Sequence, residues 1–270
     1  EKIIKDFGMD FDTLNISAFE KYVLEAQEEF KDQITQGMFA PWILYKEDFQ
    51  AIGGHDPLFA PFPYEDSDIF QRWILNGYEL IQSRDAFVYH LTCRGHRWNE
   101  QIGQNDGMFK IYEAKAARNY IRKWGIWIEN DEYQYPILSP KYNIVFAITN
   151  CTVPLLKALE PSCTRMYVED RDGLINHYID TEQSNSMFDL YKRVCDISHN
   201  NPDDYQDVVV KINGNKLTQE DFNILMVLPK IIKETNELGK FQIGNLDIEI
   251  FSIEERQNDL IQIGRAVSAE

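Results

Sequence analysis

Cysteine is scarce. The 270 residues hold four, Cys93, Cys151, Cys163 and Cys195, and none stand at C-x-x-C spacing. That excludes a zinc ribbon and a disulfide-stapled fold, and it implies reduced thiols in a cytoplasmic protein. Long apolar runs are missing too. The longest, Ile144 to Ile148 and Ile224 to Leu228, fall far short of the roughly 20 residues that a membrane-spanning helix needs. Basic residues are few, 27 Lys and Arg against 44 Asp and Glu, for a net charge of −17. Such a surface repels nucleic-acid phosphates, which excludes nucleic acid as a partner, and it disfavours anionic membranes. No G-x-G-x-x-G or G-x-x-x-x-G-K-[ST] loop occurs, and the five histidines form no H-x-H or H-E-x-x-H pair. The chain opens on Glu1 with no basic region ahead of an apolar stretch. It reads as a piece without a signal peptide, whose natural start lies upstream.

What is there reads as an α/β chain in two parts. Residues 12–35 place Phe19, Tyr22, Val23, Ala26 and Phe30 on one helical face, with Ser17 as cap and Gly37 as stop. Met38 to Tyr45 reads as a strand and Lys46 to Ile52 as a short helix ended by Gly53-Gly54. Pro57, Pro61 and Pro63 make a loop. A helix capped by Asp66 or Asp68 runs through Arg72, Trp73 and Leu75 to Gly77. Strands follow at Tyr78 to Gln82 and Ala86 to His90, then a helix from Met108 to Lys123 closed by Gly125. Polar residues with Pro136 and Pro140 then set a boundary, giving domains at 1–128 and 143–270 joined by a linker at 129–142. The second part restarts with a strand at Asn143 to Ile148, a helix at Val153 to Leu159 and a strand at Arg165 to Val168, as a βαβ unit does. A strand at Asp207 to Ile212, a helix at Gln219 to Thr235 and a strand at Leu246 to Phe251 complete it.

The stretch that carries chemistry is Tyr64-Glu65-Asp66-Ser67-Asp68-Ile69-Phe70-Gln71-Arg72. Three carboxylates fall within four residues at a helix start, where the helix dipole stabilises negative charge. An ionised carboxylate so placed is what a base that deprotonates a sugar hydroxyl needs. Taken alone, the motif is more often an ordinary acidic helix start.

Its surroundings sharpen the reading. Phe39-Ala40-Pro41-Trp42 leads to Ile52-Gly53-Gly54-His55-Asp56-Pro57, then to the Glu65-Asp66 pair, the helix, Gly77-Tyr78 and Val88-Tyr89-His90, with Asn119 to Gly125 further on. This order resembles family 2 glycosyltransferases. The Glu65-to-Arg72 segment is also similar to the C-terminal domain of galactosyltransferases of the GT-A class. The resemblance covers roughly residues 35–126. It implies a GT-A-type mixed sheet, of which 1–128 is the acceptor-side half, followed by a small accessory α/β domain. It implies an inverting transfer from a nucleotide-sugar donor to a glycan acceptor, with Asp66 as base and Glu65 positioning the acceptor or tuning Asp66. Asp68 is expected to cap the helix. Gly53 and Gly54 either let the backbone approach a ligand or simply end a helix. Asp56 either meets an acceptor hydroxyl or starts the Pro57 turn. Trp42 either stacks on a sugar or belongs to the core. By the same resemblance His90 is a ligand of a divalent metal, Mn²⁺ or Mg²⁺, where its own position allows equally a packed histidine at a strand end, and His96, Arg97 and Trp98 form a lid over the donor.

The chain also departs from the family. Only about 35 residues precede the Phe39 strand, where a nucleotide-binding half with an Asp-x-Asp metal motif is expected. Asp10-Phe11-Asp12 reads as a capping region instead. The donor half is therefore expected upstream or on a partner chain. Glu169 to Gly173 reads as a solvated acidic turn. Two other classes compete: a non-catalytic carbohydrate-binding or scaffolding module, and, last, a metal-dependent hydrolase.

Overall fold

A computed structural model describes residues 3–37, 40–91, 107–198 and 206–262, with the backbone at 98–99 and 104–105. Helix α1 spans Ile16–Glu29. Asn15 caps it, its side-chain oxygen accepting the Ala18 N–H at 3.0 Å. The helix is shorter at both ends than its periodicity suggests. The cap lies two residues before Ser17, and the chain turns beyond Phe30 through Asp32, which has a left-handed φ of 57°. Its apolar face meets an aromatic cluster in which Phe7 lies 5.5 Å from Phe19 and Tyr22 lies 6.1 Å from Phe87.

Strand β1, Ile34–Gln36, follows. Residues 40–45 are irregular rather than a strand. Pro41 has no N–H to give a ladder, and Ile43 is 98% exposed, so no sheet covers this segment. Met38 and Phe39 lie outside the described residues. Then come α2, Lys46–Ala51, a 3₁₀ turn at Pro57–Phe59, and α3, Glu65–Leu75. Strand β2, Ile81–Ser83, pairs antiparallel with β1, Ile34 opposite Ser83. Residues 86–90 carry no strand; Tyr89 holds them to the N-terminal stretch, its hydroxyl accepting the Phe7 N–H and donating to the Gly8 carbonyl. A short ribbon, β3 (Trp98–Asn99) with β4 (Gln104–Asn105), precedes α4, Gly107–Trp124.

The larger sheet lies wholly between residues 144 and 250. Its elements in chain order are β5 (Ile144–Thr149), α5 (Val153–Leu159), β6 (Arg165–Val168), α6 (Leu174–Glu182), α7 (Leu190–Arg193), β7 (Val194–Asp196), β8 (Val208–Asn213), α8 (Gln219–Thr235), β9 (Gly239–Ile243) and β10 (Leu246–Ile250). The spatial order is β7-β6-β5-β8-β10-β9, parallel from β7 to β8 and antiparallel on both sides of β10. The chain is thus α/β with a six-stranded mixed sheet. Sequence pattern matches position. Central β5 is apolar on both faces and buried almost throughout, as parallel core strands are. Edge-side β10, Leu-Asp-Ile-Glu-Ile, alternates buried with more exposed residues. The core joins Phe146, Ile148, Val210 and Ile248 to Leu156, Tyr178 and Leu228 of the helices.

Helix α4 reaches both parts. Ala116, Tyr120 and Trp124 pack with Leu58 and Phe59 of the first part and with Phe188 and Leu260 of the second. Its Arg118 and Arg122 pair with Glu160 and Glu182. Among the described residues no helix is long and apolar enough to cross a membrane.

Candidate functional site

The acidic motif opens α3. No side chain caps this helix, and Tyr64, the residue before it, sits in the left-handed region at φ 78°. That conformation costs a bulky residue about 1 kcal/mol or more and is found where surrounding structure enforces it. Glu65 and Asp66 are both partly exposed on the first turn. Glu65 Oε2 is itself buried and has no hydrogen-bond partner among the described residues. An orphan acceptor of this kind costs roughly 1–3 kcal/mol unless a donor from outside the described residues meets it.

Asp68 does not cap the helix; it points inward and is fully buried. Its Oδ2 accepts from Arg72 Nε at 2.8 Å, one helical turn on. Its Oδ1 accepts from Lys123 Nζ at 2.6 Å and Trp124 Nε1 at 2.9 Å. Lys123 also binds Asp56 Oδ2 at 2.7 Å. Two carboxylates and two cations are therefore buried together with no net charge, the condition under which buried ions are tolerated. Arg72 completes the set. Its two terminal nitrogens donate to the carbonyls of Ile52 at 2.8 Å and Gly54 at 2.6 Å. One guanidinium thus joins the Gly53-Gly54 loop to α3.

The loop needs its glycines. Gly53 and Gly54 have φ of 81° and 72°, and a Cβ on Gly54 would stand 2.9 Å from the Phe49 ring. Asp56 is 6% exposed, and its Oδ1 caps the Pro57 turn by accepting the Leu58 N–H at 2.9 Å. Trp42 is half-buried against the edge of Trp73 at 5.0 Å and stacked on Phe49, with the exposed His55 imidazole 5.9 Å away. Trp42, Gly53, Gly54 and Asp56 are thereby gathered around the body of α3, while Glu65 and Asp66 occupy its start.

His90 is exposed, next in the chain to Tyr89. Among the described residues no group of three or more His, Cys, Asp or Glu side chains is placed to hold a metal ion. His96 and Arg97 lie outside the described residues, and Trp98 is described by its backbone alone. Asp10 turns the chain ahead of α1, its carboxylate accepting the Thr13 N–H at 2.9 Å. Glu169 pairs with Arg171 in an exposed turn, and Asp170 accepts the Ile175 N–H at the start of α6. A crevice too narrow to admit a water molecule lies between Gln71, Tyr120, Trp127 and Ile137. Burial and the Asp68 carboxylate push the Tyr120 hydroxyl there well above the usual phenol range.

Sequence reasoning passed over Arg72 and Lys123 as functional residues. The i, i+4 spacing of Asp68 and Arg72 was a readable signal. The pairing of Lys123 with Asp56, 67 positions away, was not. No family model, curated protein or solved structure matches this chain.

Proposed function

We propose that this chain is the acceptor-side part of a GT-A-type glycosyltransferase, transferring a sugar from a nucleotide-sugar donor to a glycan hydroxyl with inversion. The reading rests on one observation above the rest. A buried carboxylate oxygen, Glu65 Oε2, stands without a partner among the described residues at the start of α3, next in sequence to the partly exposed Asp66. A sugar presents adjacent hydroxyl donors, which suits such a pair. Asp66 takes the proton of one hydroxyl as its oxygen attacks the anomeric carbon and the nucleoside diphosphate departs. Glu65 accepts a hydrogen bond from a neighbouring hydroxyl and fixes the ring. A divalent cation, Mn²⁺ or Mg²⁺, with His90 among its ligands belongs to the same proposal; when bound it neutralises charge on the departing diphosphate. The donor half comes from upstream sequence or a partner chain.

The test is an assay of the complete reading frame that carries this sequence. A panel of UDP-, GDP- and CMP-sugars is offered with and without Mn²⁺, beside Asp66→Asn. The expected result is metal-dependent release of nucleotide from one donor, with acceptor-dependent turnover reduced about 10²–10⁴-fold in the variant. Absence of turnover and of donor binding in the wild type rejects the reading.

A second reading, a carbohydrate-binding module without catalysis, draws on a different observation. Among the described residues up to 128, the only strands are those of the two short antiparallel ribbons. No parallel strand–helix–strand unit of the kind that seats a nucleotide is present there. Glycan binding lost in Trp42→Ala but kept in Asp66→Asn would favour it.

A further inference from the structure

We infer that Tyr64 is the positioning residue of the carboxylate pair, and that Trp127, in the segment leading to the large sheet, clamps it in place; the inference rests on the transferase reading. The backbone at Tyr64 carries the argument. It lies in the left-handed region at φ 78° and ψ 2°, directly ahead of Glu65 and Asp66. A tyrosine keeps that conformation where its neighbours enforce it, and such outliers gather where a fold aims functional side chains. The neighbours here are rings. Tyr64 and Trp127 cross at 77° with centroids 5.2 Å apart, Tyr64 and Tyr120 at 62° and 6.3 Å, and Tyr120 and Trp127 at 68° and 6.2 Å. Each ring touches the other two, in the edge contacts that aromatic pairs favour.

The three rings come from three places in the chain. Tyr120 is buried on α4. Gly125, at φ 80°, turns the chain after that helix, and Trp127 follows the turn. Beyond it the Ile137 N–H donates to the Glu129 carbonyl at 2.9 Å and folds the segment back. The body of α3 is held separately, through Asp68 with Arg72, Lys123 and Trp124. Its first turn has no side-chain cap, and the Tyr64 carbonyl accepts the Asp68 N–H at 3.0 Å. The direction in which Glu65 and Asp66 leave the helix is therefore set through Tyr64. Trp127 is 44% exposed, so removing its ring opens no sealed cavity, and the loss falls on Tyr64. Without the clamp the strained backbone relaxes and the two carboxylates shift. A displacement of about 1 Å at a reacting group lowers turnover by as much as about 10²-fold.

The experiment uses the complete reading frame, the nucleotide sugar that the wild type hydrolyses fastest, and methyl glycosides of glucose, galactose and mannose as acceptor probes. It compares wild type, Trp127→Ala, Trp127→Phe and the double variant Tyr64→Gly/Trp127→Ala. Glycine takes a positive φ without steric cost, so the double variant keeps the turn without the clamp. Per folded molecule, acceptor-dependent kcat is expected to fall about tenfold or more in Trp127→Ala, with the donor KM within about twofold. Trp127→Phe should stay within about threefold of wild type, and the double variant should regain about threefold or more over Trp127→Ala. A double variant no better than Trp127→Ala would show that the Trp127 ring serves a ligand or the fold directly, and would overturn the inference; so would wild-type kcat in Trp127→Ala. If Trp127→Ala does not fold, Trp127→Leu, which fills more of the space without a ring, takes its place in the same comparison. If the wild type turns over no donor, the transferase reading falls instead. Hydrogen exchange at the Glu65 to Asp68 amides then decides the clamp: exchange about tenfold faster in Trp127→Ala and slowed again in the double variant keeps it, and unchanged exchange rejects it.

Discussion

Glu160 shows most clearly what a single residue does here. It is fully buried and accepts from Arg122 at 2.7 Å, Arg193 at 2.8 Å and the Tyr178 hydroxyl at 2.8 Å. Burial by itself would raise its carboxyl, but the guanidiniums of Arg122 and Arg193 override this and hold it well below the usual carboxylate range. Glu182 is lowered in the same way, burial opposing and Arg122 and Arg118 prevailing. A carboxyl lowered in the folded state binds fewer protons there than in the unfolded chain. Its stabilisation is complete above the ordinary carboxylate range and drains away as pH falls below it. Unfolding midpoints in urea should therefore drop steeply with acidification below about pH 4.5. Glu160→Gln should flatten that acid limb and cost about 3–5 kcal/mol at pH 7, because buried Arg193 loses its Glu160 partner and buried Arg122 is left sharing Glu182 with Arg118. A variant with the wild-type acid limb would refute this assignment. Residue-scale pairing was legible only where it is local. Asp68 and Arg72 are four apart, whereas Arg122 and Glu160 are 38 apart and meet only through the fold.

Among the elements, α8 is the one most fully written in the sequence. Thr218 and Asp221 form a reciprocal capping box at its start, and Asn236, in the left-handed region, ends it. Asp221 does more than cap. Its carboxylate also accepts the backbone N–H of Asn245 at 3.0 Å and its side-chain amide at 2.9 Å, in the turn between β9 and β10. These bonds from Asn245, with those from Thr218, hold its pKa well below the usual range. Asp221→Ala should cost about 2 kcal/mol, a cap plus a stranded turn amide. Urea denaturation checks this, and a loss under about 0.5 kcal/mol would show that the turn does not depend on the cap. Elements that failed to follow their pattern did so for local reasons. Residues 40–45 are aromatic and apolar but hold a proline and face no sheet. Strand β7, only three residues long, has too short a period to announce itself, and it exists because β6 pairs with it.

At the scale of the whole molecule, α4 decides how the two parts behave. It contributes Tyr120 and Trp124 to a cluster that also contains Phe59, Phe188 and Leu260. From its last turns Arg122 reaches Glu160 and Lys123 reaches Asp56 and Asp68. The proposed site and the large sheet are therefore fastened to one helix. Calorimetry should show a single cooperative transition. Two resolved transitions would mean that the halves fold independently and that the buried pairs of α4 contribute little.

The sequence by itself determined the local facts: α/β character, the end of α3 before Gly77, the bounds of α4 and α8 to within a residue, the buried centre of the large sheet, and the acidic character of the α3 start, though not its cap. Periodicity, capping chemistry and turn residues act over a few positions, so a few positions suffice to read them. Only the tertiary structure decided that Asp68 turns inward to Arg72 and Lys123, that Asp56 is bound to Lys123, and that the Gly53-Gly54 loop hangs on one guanidinium. Most of these contacts join residues far apart in the chain. Burying ions is favourable only when every partner arrives together, and that condition is met by the packing of α3 against α4 rather than by any segment alone.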